Sequence, residues 1–286
     1  MADFVAGYYR ARDGLKLYCR QYAGDPRRVP VLCLPGLTRN CMDFAPLAAH
    51  ITPHRGVIAP DVRGRGRSQY DSNWLNYHPL TYVDDVWSVL QQLSIPRVIV
   101  IGTSLGGLMA MLMAMLRPQA VAAVVLNDVG PELNPSGAQR IYSYVGRLPP
   151  VSNWEQAVVQ MQAIFSAALP DLTTQQWRDF TEASFLVDAS GAPQLASDPK
   201  ISKLLRLVLP GPLPGMWVAF AALRAIPTLA LRGALSDLLS SKIFAHMQRE
   251  HPKMLAVTVP NRGHAPILDE PESLAAIDRF LDGIAE

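Results

Sequence analysis

The chain has 286 residues, 49% of them apolar and 17% charged, and a formal net charge of +2. These values exclude a disordered chain and leave room for one large α/β domain, alone or with an insertion. The near-neutral charge argues neither for nor against nucleic acid, and the basic cluster Arg63, Arg65, Arg67 is too short and too glycine-interrupted for a binding arm.

The first elements read as strands. Residues 4–22 alternate and break at Arg12-Asp13-Gly14, which predicts a hairpin. Val29 to Leu34 predicts a buried strand ending at Pro35-Gly36, and Asn40 is placed to cap a helix reaching His50. Val57 to Ala59 predicts the next strand. Tyr82, Val83, Val86, Val89, Leu90 and Leu93 have helical spacing, predicting a helix over 81–93. A β-branched run, 97–101, then meets Gly102-Thr103-Ser104-Leu105-Gly106 and an apolar helical stretch, 108–116. Residues 98–116 have the length of a membrane span, but the β-rich start and interior glycines favour a buried strand followed by a buried helix. Val121 to Leu126 predicts another strand, ending at Asn127-Asp128.

This alternation predicts an α/β fold with a mostly parallel central sheet and helices on both faces. From 131 to 222 it stops. Helical patches at 138–145, 154–168, 174–184 and 201–208 predict a helical insertion, and the Pro-rich run Pro210 to Gly215 leads back to the sheet. Strands at 227–233 and 254–259 and helices near 240–249 and 271–281 complete a core made of 1–130 and 223–286, with the insertion as a cap.

The chemistry centres on Ser104. Strand, G-x-S-x-G and helix together define a nucleophile elbow, in which the serine occupies a strained turn and glycines flank it because a Cβ would meet the neighbouring backbone. A serine hydroxyl needs a base, and the base needs an orienting acid. Of six histidines, His264 in Asn261-Arg-Gly-His-Ala-Pro266 follows a sheet strand, where ligands gather in open α/β sheets. His246 and His251 fall on or beside a helix and are expected at the surface. Two acids follow strands, Asp237 and Asp128. Chain order in this kind of triad, serine then acid then histidine, favours Asp237, with Asp128 in reserve as a carboxylate at the start of the insertion.

The three cysteines, Cys19, Cys33 and Cys41, include no C-x-x-C pair, which argues for free thiols and a reducing, cytoplasmic setting. The N-terminus shows no basic region followed by an apolar core, so no signal peptide is expected. No membrane association is expected either.

The elbow, the segment Asp61-Val-Arg-Gly-Arg-Gly-Arg-Ser68, the run Arg232-Gly-Ala-Leu-Ser-Asp237 and Gly263-His264 occur in an order that resembles an α/β-hydrolase-fold serine hydrolase with a helical cap, over essentially the whole length. The resemblance implies a triad of Ser104, Asp237 and His264. It implies an oxyanion hole of two backbone N–H groups, Leu105 and Leu37, the second in Leu34-Pro-Gly-Leu-Thr38. Many relatives carry His-Gly in that loop and this chain carries Pro35-Gly36, which keeps the backbone donor and removes the histidine. The D-x-R-G-x-G-x-S loop implies a structural turn near the site, with its arginines in solvent.

Serine at the elbow disfavours the aspartate chemistry of dehalogenases and epoxide hydrolases. No cofactor, metal or nucleic-acid partner is implied. The expected reaction is hydrolysis of a small-to-medium carboxylic ester or lactone through an acyl-enzyme. The alternatives are a C–C bond hydrolase of ring-cleavage products, a cofactor-free haloperoxidase or perhydrolase, and a non-catalytic ligand-binding protein. Trp154, Phe165, Trp177, Phe185 and Trp217 are candidates for an apolar acyl pocket or for the core of the cap. Nothing in the sequence indicates an oligomeric state.

Overall fold

The structure is a computed structural model that describes residues 2–189, 191–208 and 215–284. The N-terminal strands β1 (Val5–Arg10) and β2 (Lys16–Tyr22) pair antiparallel across the Asp13-Gly14 turn, where Gly14 adopts φ 84°. β3 (Val31–Leu34) is followed by a 3-10 turn at Cys41–Phe44, capped by the Asn40 side chain, and only then by α1 (Ala45–Ile51). β4 (Val57–Pro60), α2 (Pro79–Gln92), β5 (Val98–Thr103), α3 (Leu105–Leu116) and β6 (Val121–Asn127) continue the alternation.

Between β6 and the next sheet strand lie α4 (Pro135–Tyr144), α5 (Trp154–Phe165) and α6 (Thr174–Glu182). Beyond them come a two-stranded antiparallel ribbon of β7 (Phe185–Val187) and β8 (Pro193–Leu195), then α7 (Ile201–Val208) and α8 (Met216–Ala221). The ribbon is absent from the helical patches read in the sequence. Its strands have three residues each, too short for alternation to register. The Pro-rich run at 210–214 lies outside the described residues. The chain then returns through β9 (Thr228–Gly233), α9 (Ser241–Glu250), β10 (Leu255–Val259) and α10 (Pro271–Asp282).

The main sheet has the order β1-β2-β4-β3-β5-β6-β9-β10. β4, β3, β5, β6, β9 and β10 run parallel, and β2 joins β4 antiparallel. Parallel strands are covered on both faces and so read as continuous apolar runs. Alternate residues still divide between the two layers. Leu32, Leu34, Val98, Val100, Val124 and Leu126 face the core under α2, α3 and α8. Val31, Cys33, Ile99, Ile101, Ala123 and Val125 face the core under α1 and α10. The three cysteines are free and buried, and burial pushes each thiol pKa up, which makes them inert core residues. Among the described residues no helix is long and apolar enough to cross a membrane.

The fold depends locally on close backbone approach at the turn from β5 into α3. A Cβ on Gly102 would lie 2.3 Å from the Gly106 carbonyl oxygen, and one on Gly106 would lie 2.0 Å from the Leu34 carbonyl oxygen. The obstacle in both cases is backbone of buried parallel strands or of the helix they support, which cannot swing aside. Gly106→Ala should therefore force β3 and α3 apart. The expected result is a loss of about 2 kcal/mol or more, seen as a fall of several degrees in Tm.

Candidate active site

Three sheet strands deliver three side chains to one place. Ser104 is the residue between β5 and α3, with φ 53° and ψ −114°. Only a residue held by its surroundings keeps this left-handed backbone, at a cost of about 1–3 kcal/mol. Its backbone N–H donates to Asn127 at 3.0 Å, and its carbonyl accepts from Gly107 and Leu108. Ser104 occupies the N-cap position of α3, yet its hydroxyl caps no backbone N–H. It lies instead 2.9 Å from His264 Nε2.

His264 follows β10. Its Nδ1 lies 2.8 Å from Asp128 Oδ2, at the end of β6. Asp128 is fully buried and also left-handed, at φ 53°, a region that aspartate tolerates. Its Oδ1 accepts from the Gly233 backbone N–H at 2.8 Å, and its Oδ2 accepts from the Ser236 hydroxyl at 2.6 Å. Two donors besides the histidine thus compensate its desolvation. Gly233 is required here, because a Cβ would lie 2.4 Å from the Gly263 carbonyl oxygen and push the histidine loop away. The carbonyl of Pro266 is pinned by Asn127 Nδ2 at 2.8 Å.

The structure corrects the choice of acid. Asp237 is not hydrogen-bonded to His264; its carboxylate takes Arg140 Nε at 2.6 Å and Nη2 at 2.9 Å, from α4. Burial raises the Asp237 carboxyl pKa, but the hydrogen bonds and charge of Arg140 outweigh burial and hold it below the usual value. The cause is positional. Ser236, one residue earlier, turns inward to Asp128, so Asp237 turns outward to the segment after β6, where Asn134 Nδ2 also donates to its carbonyl at 2.9 Å.

Two further expectations fail. Arg63 and Arg65 are not in solvent: they are 1% and 0% exposed, and only Arg67 is exposed. Arg63 is held by Asp85 and Asp71, and Arg65 donates to the carbonyls of Leu37 and Arg63 and to the Tyr82 hydroxyl. His251 is likewise buried, with Nε2 2.9 Å from the Leu223 carbonyl.

Ser104 borders two cavities. One, of about 80 Å³, also has Gly36, Thr38, Arg39, Tyr144, Phe165 and His264 in its wall. The other, of about 120 Å³, is walled by apolar side chains such as Leu105, Leu108, Val129, Ile141 and Leu238. It has no charged side chain among the described residues, and the hydroxyls of its Tyr77 and Tyr82 are engaged by Asp198 and Arg65. The expected oxyanion donors fall in this region. Leu37 lines both cavities, and Leu105 is the first residue of α3, whose N–H has no partner within the helix. The Leu37 carbonyl is fixed by Arg65 Nε at 2.8 Å. Of the five candidate aromatics, Phe165 reaches the smaller cavity. Trp177 and Phe185 are core, Trp154 packs on Phe185, and Trp217 packs on Phe220 and His246.

A mostly parallel sheet with a serine elbow after β5, a buried aspartate after β6 and a histidine after β10 defines an α/β hydrolase. Residues 29–172 match the family described as alpha/beta hydrolase fold, and the chain belongs to that family. It is 35% identical over 269 residues to a 3-hydroxybutyrate-oligomer hydrolase of Cupriavidus necator, covering 91% of each chain. It is 26% identical over 255 residues to a 2-(acetamidomethylene)succinate hydrolase of Mesorhizobium japonicum, covering 88% of this chain and 87% of that one. An alpha/beta hydrolase structure from Novosphingobium aromaticivorans superposes with a TM-score of 0.91 at 42% identity, over 99% of both chains.

Two predictions follow from this geometry. The downfield proton resonance of a hydrogen-bonded His264 Nδ1–H should survive in Asp237→Asn and vanish in Asp128→Asn; the reverse pattern would restore Asp237 as the partner. The second concerns the Arg140 pair. Because the folded-state pKa of Asp237 is depressed, its stabilisation is present above the ordinary value of 3.8 and is lost as pH falls through the folded value. The side chains are 28% and 34% exposed, so screening limits the effect to about 1 kcal/mol or less. Urea denaturation of Arg140→Gln and the parent should differ by that amount at neutral pH, and the difference should shrink as pH falls below 3.8 towards the folded-state value.

Proposed function

We propose that this hydrolase cleaves carboxylic esters through an acyl-enzyme on Ser104. The observation that carries the reading is the unbroken path from Ser104 Oγ to His264 Nε2 at 2.9 Å and from His264 Nδ1 to Asp128 Oδ2 at 2.8 Å. In this reading Ser104 Oγ attacks the ester carbonyl carbon while His264 takes its proton. The carbonyl oxygen becomes an oxyanion held by the N–H groups of Leu37 and Leu105, the second favoured by the start of a helix. The C–O bond then breaks, and the leaving alcohol takes the proton from His264. Water attacks the acyl-enzyme with His264 again as base, releasing the acid and restoring Ser104. Asp128 holds the imidazole tautomer and stabilises the imidazolium.

The segment between β6 and β9 acts as a cap over this reaction. Arg39 Nη1 donates to the Ser184 hydroxyl and Asn40 Nδ2 to the Ala183 carbonyl, while Gly263 N–H donates to the Ala168 carbonyl at 2.7 Å. The loops that carry Leu37 and His264 are therefore both braced by it. The apolar cavity, at about 120 Å³, is somewhat smaller than the roughly 150 Å³ cavity that admits benzene, which favours a short acyl chain. The name of the Cupriavidus necator relative, 3-hydroxybutyrate-oligomer hydrolase, supports esters of short hydroxy acids as the substrate class.

A fluorophosphonate probe should label the folded protein at Ser104 and fail on Ser104→Ala, which should also lose hydrolysis of p-nitrophenyl butyrate. Asp128→Asn should lower kcat by about 10³–10⁴-fold, whereas Asp237→Asn should stay within tenfold of the parent. Ester hydrolysis persisting in Ser104→Ala would exclude the acyl-enzyme.

A further inference from the structure

The two cavities at Ser104 differ in one chemically decisive way. Among the described residues the smaller one has two basic side chains in its wall, His264 and Arg39, and the larger has none. Arg39 lies close to the nucleophile: a Cβ built on Gly36 would be 3.5 Å from Arg39 Cγ and 3.8 Å from Ser104 Cβ. Glycine at 36 thus leaves open the space between the serine and the arginine stem.

The Arg39 side chain is only 12% exposed and is held in one orientation. Its Nε donates to Asp43 Oδ2 at 2.8 Å and its Nη2 to Asp43 Oδ1 and, at 3.5 Å, to the Phe180 carbonyl. Its guanidinium carbon lies 4.1 Å from the Phe180 ring centroid. Nη1 donates to the Ser184 hydroxyl, which itself donates to the Phe180 carbonyl. A guanidinium has five N–H donors, and one on Nη1 has no acceptor among the described residues. Ser184, which Nη1 meets, walls together with Arg39 a third, smaller cavity, which shares Thr38, Tyr144 and Phe165 with the cavity at Ser104. Asp43, in contrast, is in the wall of none of the three cavities. The fork is therefore anchored on its outer edge and presents a donor on its inner edge. A single remaining charge-assisted donor suits single-point recognition of a carboxylate.

We propose that the substrate carries a free carboxylate on its leaving alcohol and that Arg39 binds it. This inference rests on the acyl-enzyme reading. Polarity follows from His264, which must hand its proton to the leaving oxygen. It shares the smaller cavity with Arg39, so the alcohol half lies there and the apolar acyl half fills the larger cavity. The protein then acts on acylated hydroxy acids from the carboxylate end.

The test compares 3-(butyryloxy)butanoate with its primary amide, which keeps the one butyryl ester bond and removes the charge, at neutral pH. The parent protein should show kcat/KM about 10–100-fold higher for the free acid, the range of a charge-assisted hydrogen bond. In Arg39→Gln that ratio should fall towards one. Equal rates on both esters in the parent, or a preference that survives in Arg39→Gln, would overturn the assignment. Turnover of neither ester while fluorophosphonate still labels Ser104 would overturn it as well and leave the acyl-enzyme standing. Failure of the labelling itself would remove both.

Discussion

Ser104 sits at φ 53° and ψ −114°, and the surrounding structure is arranged to hold one residue in that conformation. Strain of this kind persists only where packing overdetermines it. Here β5 is buried between β3 and β6, the buried residues of α3 include Met109, Ala110, Met113 and Ala114, and Gly102 and Gly106 let the two elements meet at backbone contact. The consequence is chemical. In an ordinary N-cap serine the hydroxyl is consumed by the N–H of the first helical turn. The left-handed turn takes it out of that geometry and leaves it to His264, while the helix N–H groups remain available for a developing anion.

The same economy governs the loops around it. Asp61 accepts from the N–H groups of Cys41 and Arg67, both at 2.8 Å, and so ties the start of the segment after Leu37 to the arginine-rich turn. Arg65 inserts from that turn and donates to the Leu37 carbonyl, its charge lying 4.7 Å from the Tyr82 ring centroid. Among the described residues no carboxylate is a hydrogen-bond partner of Arg65. A buried guanidinium with carbonyl and aromatic partners keeps its positive field, and that field falls on the loop proposed to stabilise an oxyanion. The turn is structural, as its motif implied, but it is structural because its arginines are buried.

Much of this was legible in the sequence, and for definite reasons. The parallel strands are apolar runs, the helices α2 and α10 have clean helical spacing, and the elbow requires glycine at 102 and 106 by contact, so each leaves a local signature. The identity of the acid does not. Asp128 and Asp237 both follow strands, and both lie between Ser104 and His264 in the chain, so the order taken to favour Asp237 is satisfied equally by Asp128. What separates them is which carboxylate points inward, and that is decided by Gly233 and Ser236 on a neighbouring strand end. The burial of Arg63 and Arg65 was hidden for the same reason: their acceptors, Asp85, Leu37 and Tyr82, are distant in sequence. The short β7–β8 ribbon has too few residues to announce itself.

Placing the acid-bearing position on β6 also explains what the loop after β9 does. If Asp237 oriented His264, its side chain would have to turn inward and could not hold Arg140. With Asp128 in that place, the β9 loop is divided between two tasks. Ser236 turns in to donate to Asp128, and Asp237 turns out to grip α4 through Arg140 while its carbonyl takes Asn134. A Cβ on Gly137 would lie 2.6 Å from the Asp237 carbonyl oxygen, so α4 packs directly on that backbone. Adjacent residues thus join the carboxylate under His264 to α4, the first helix after β6. A displacement of α4 would pull on the Ser236 hydroxyl, which links the seating of α4 to the hydrogen bonds around Asp128 through a single peptide unit.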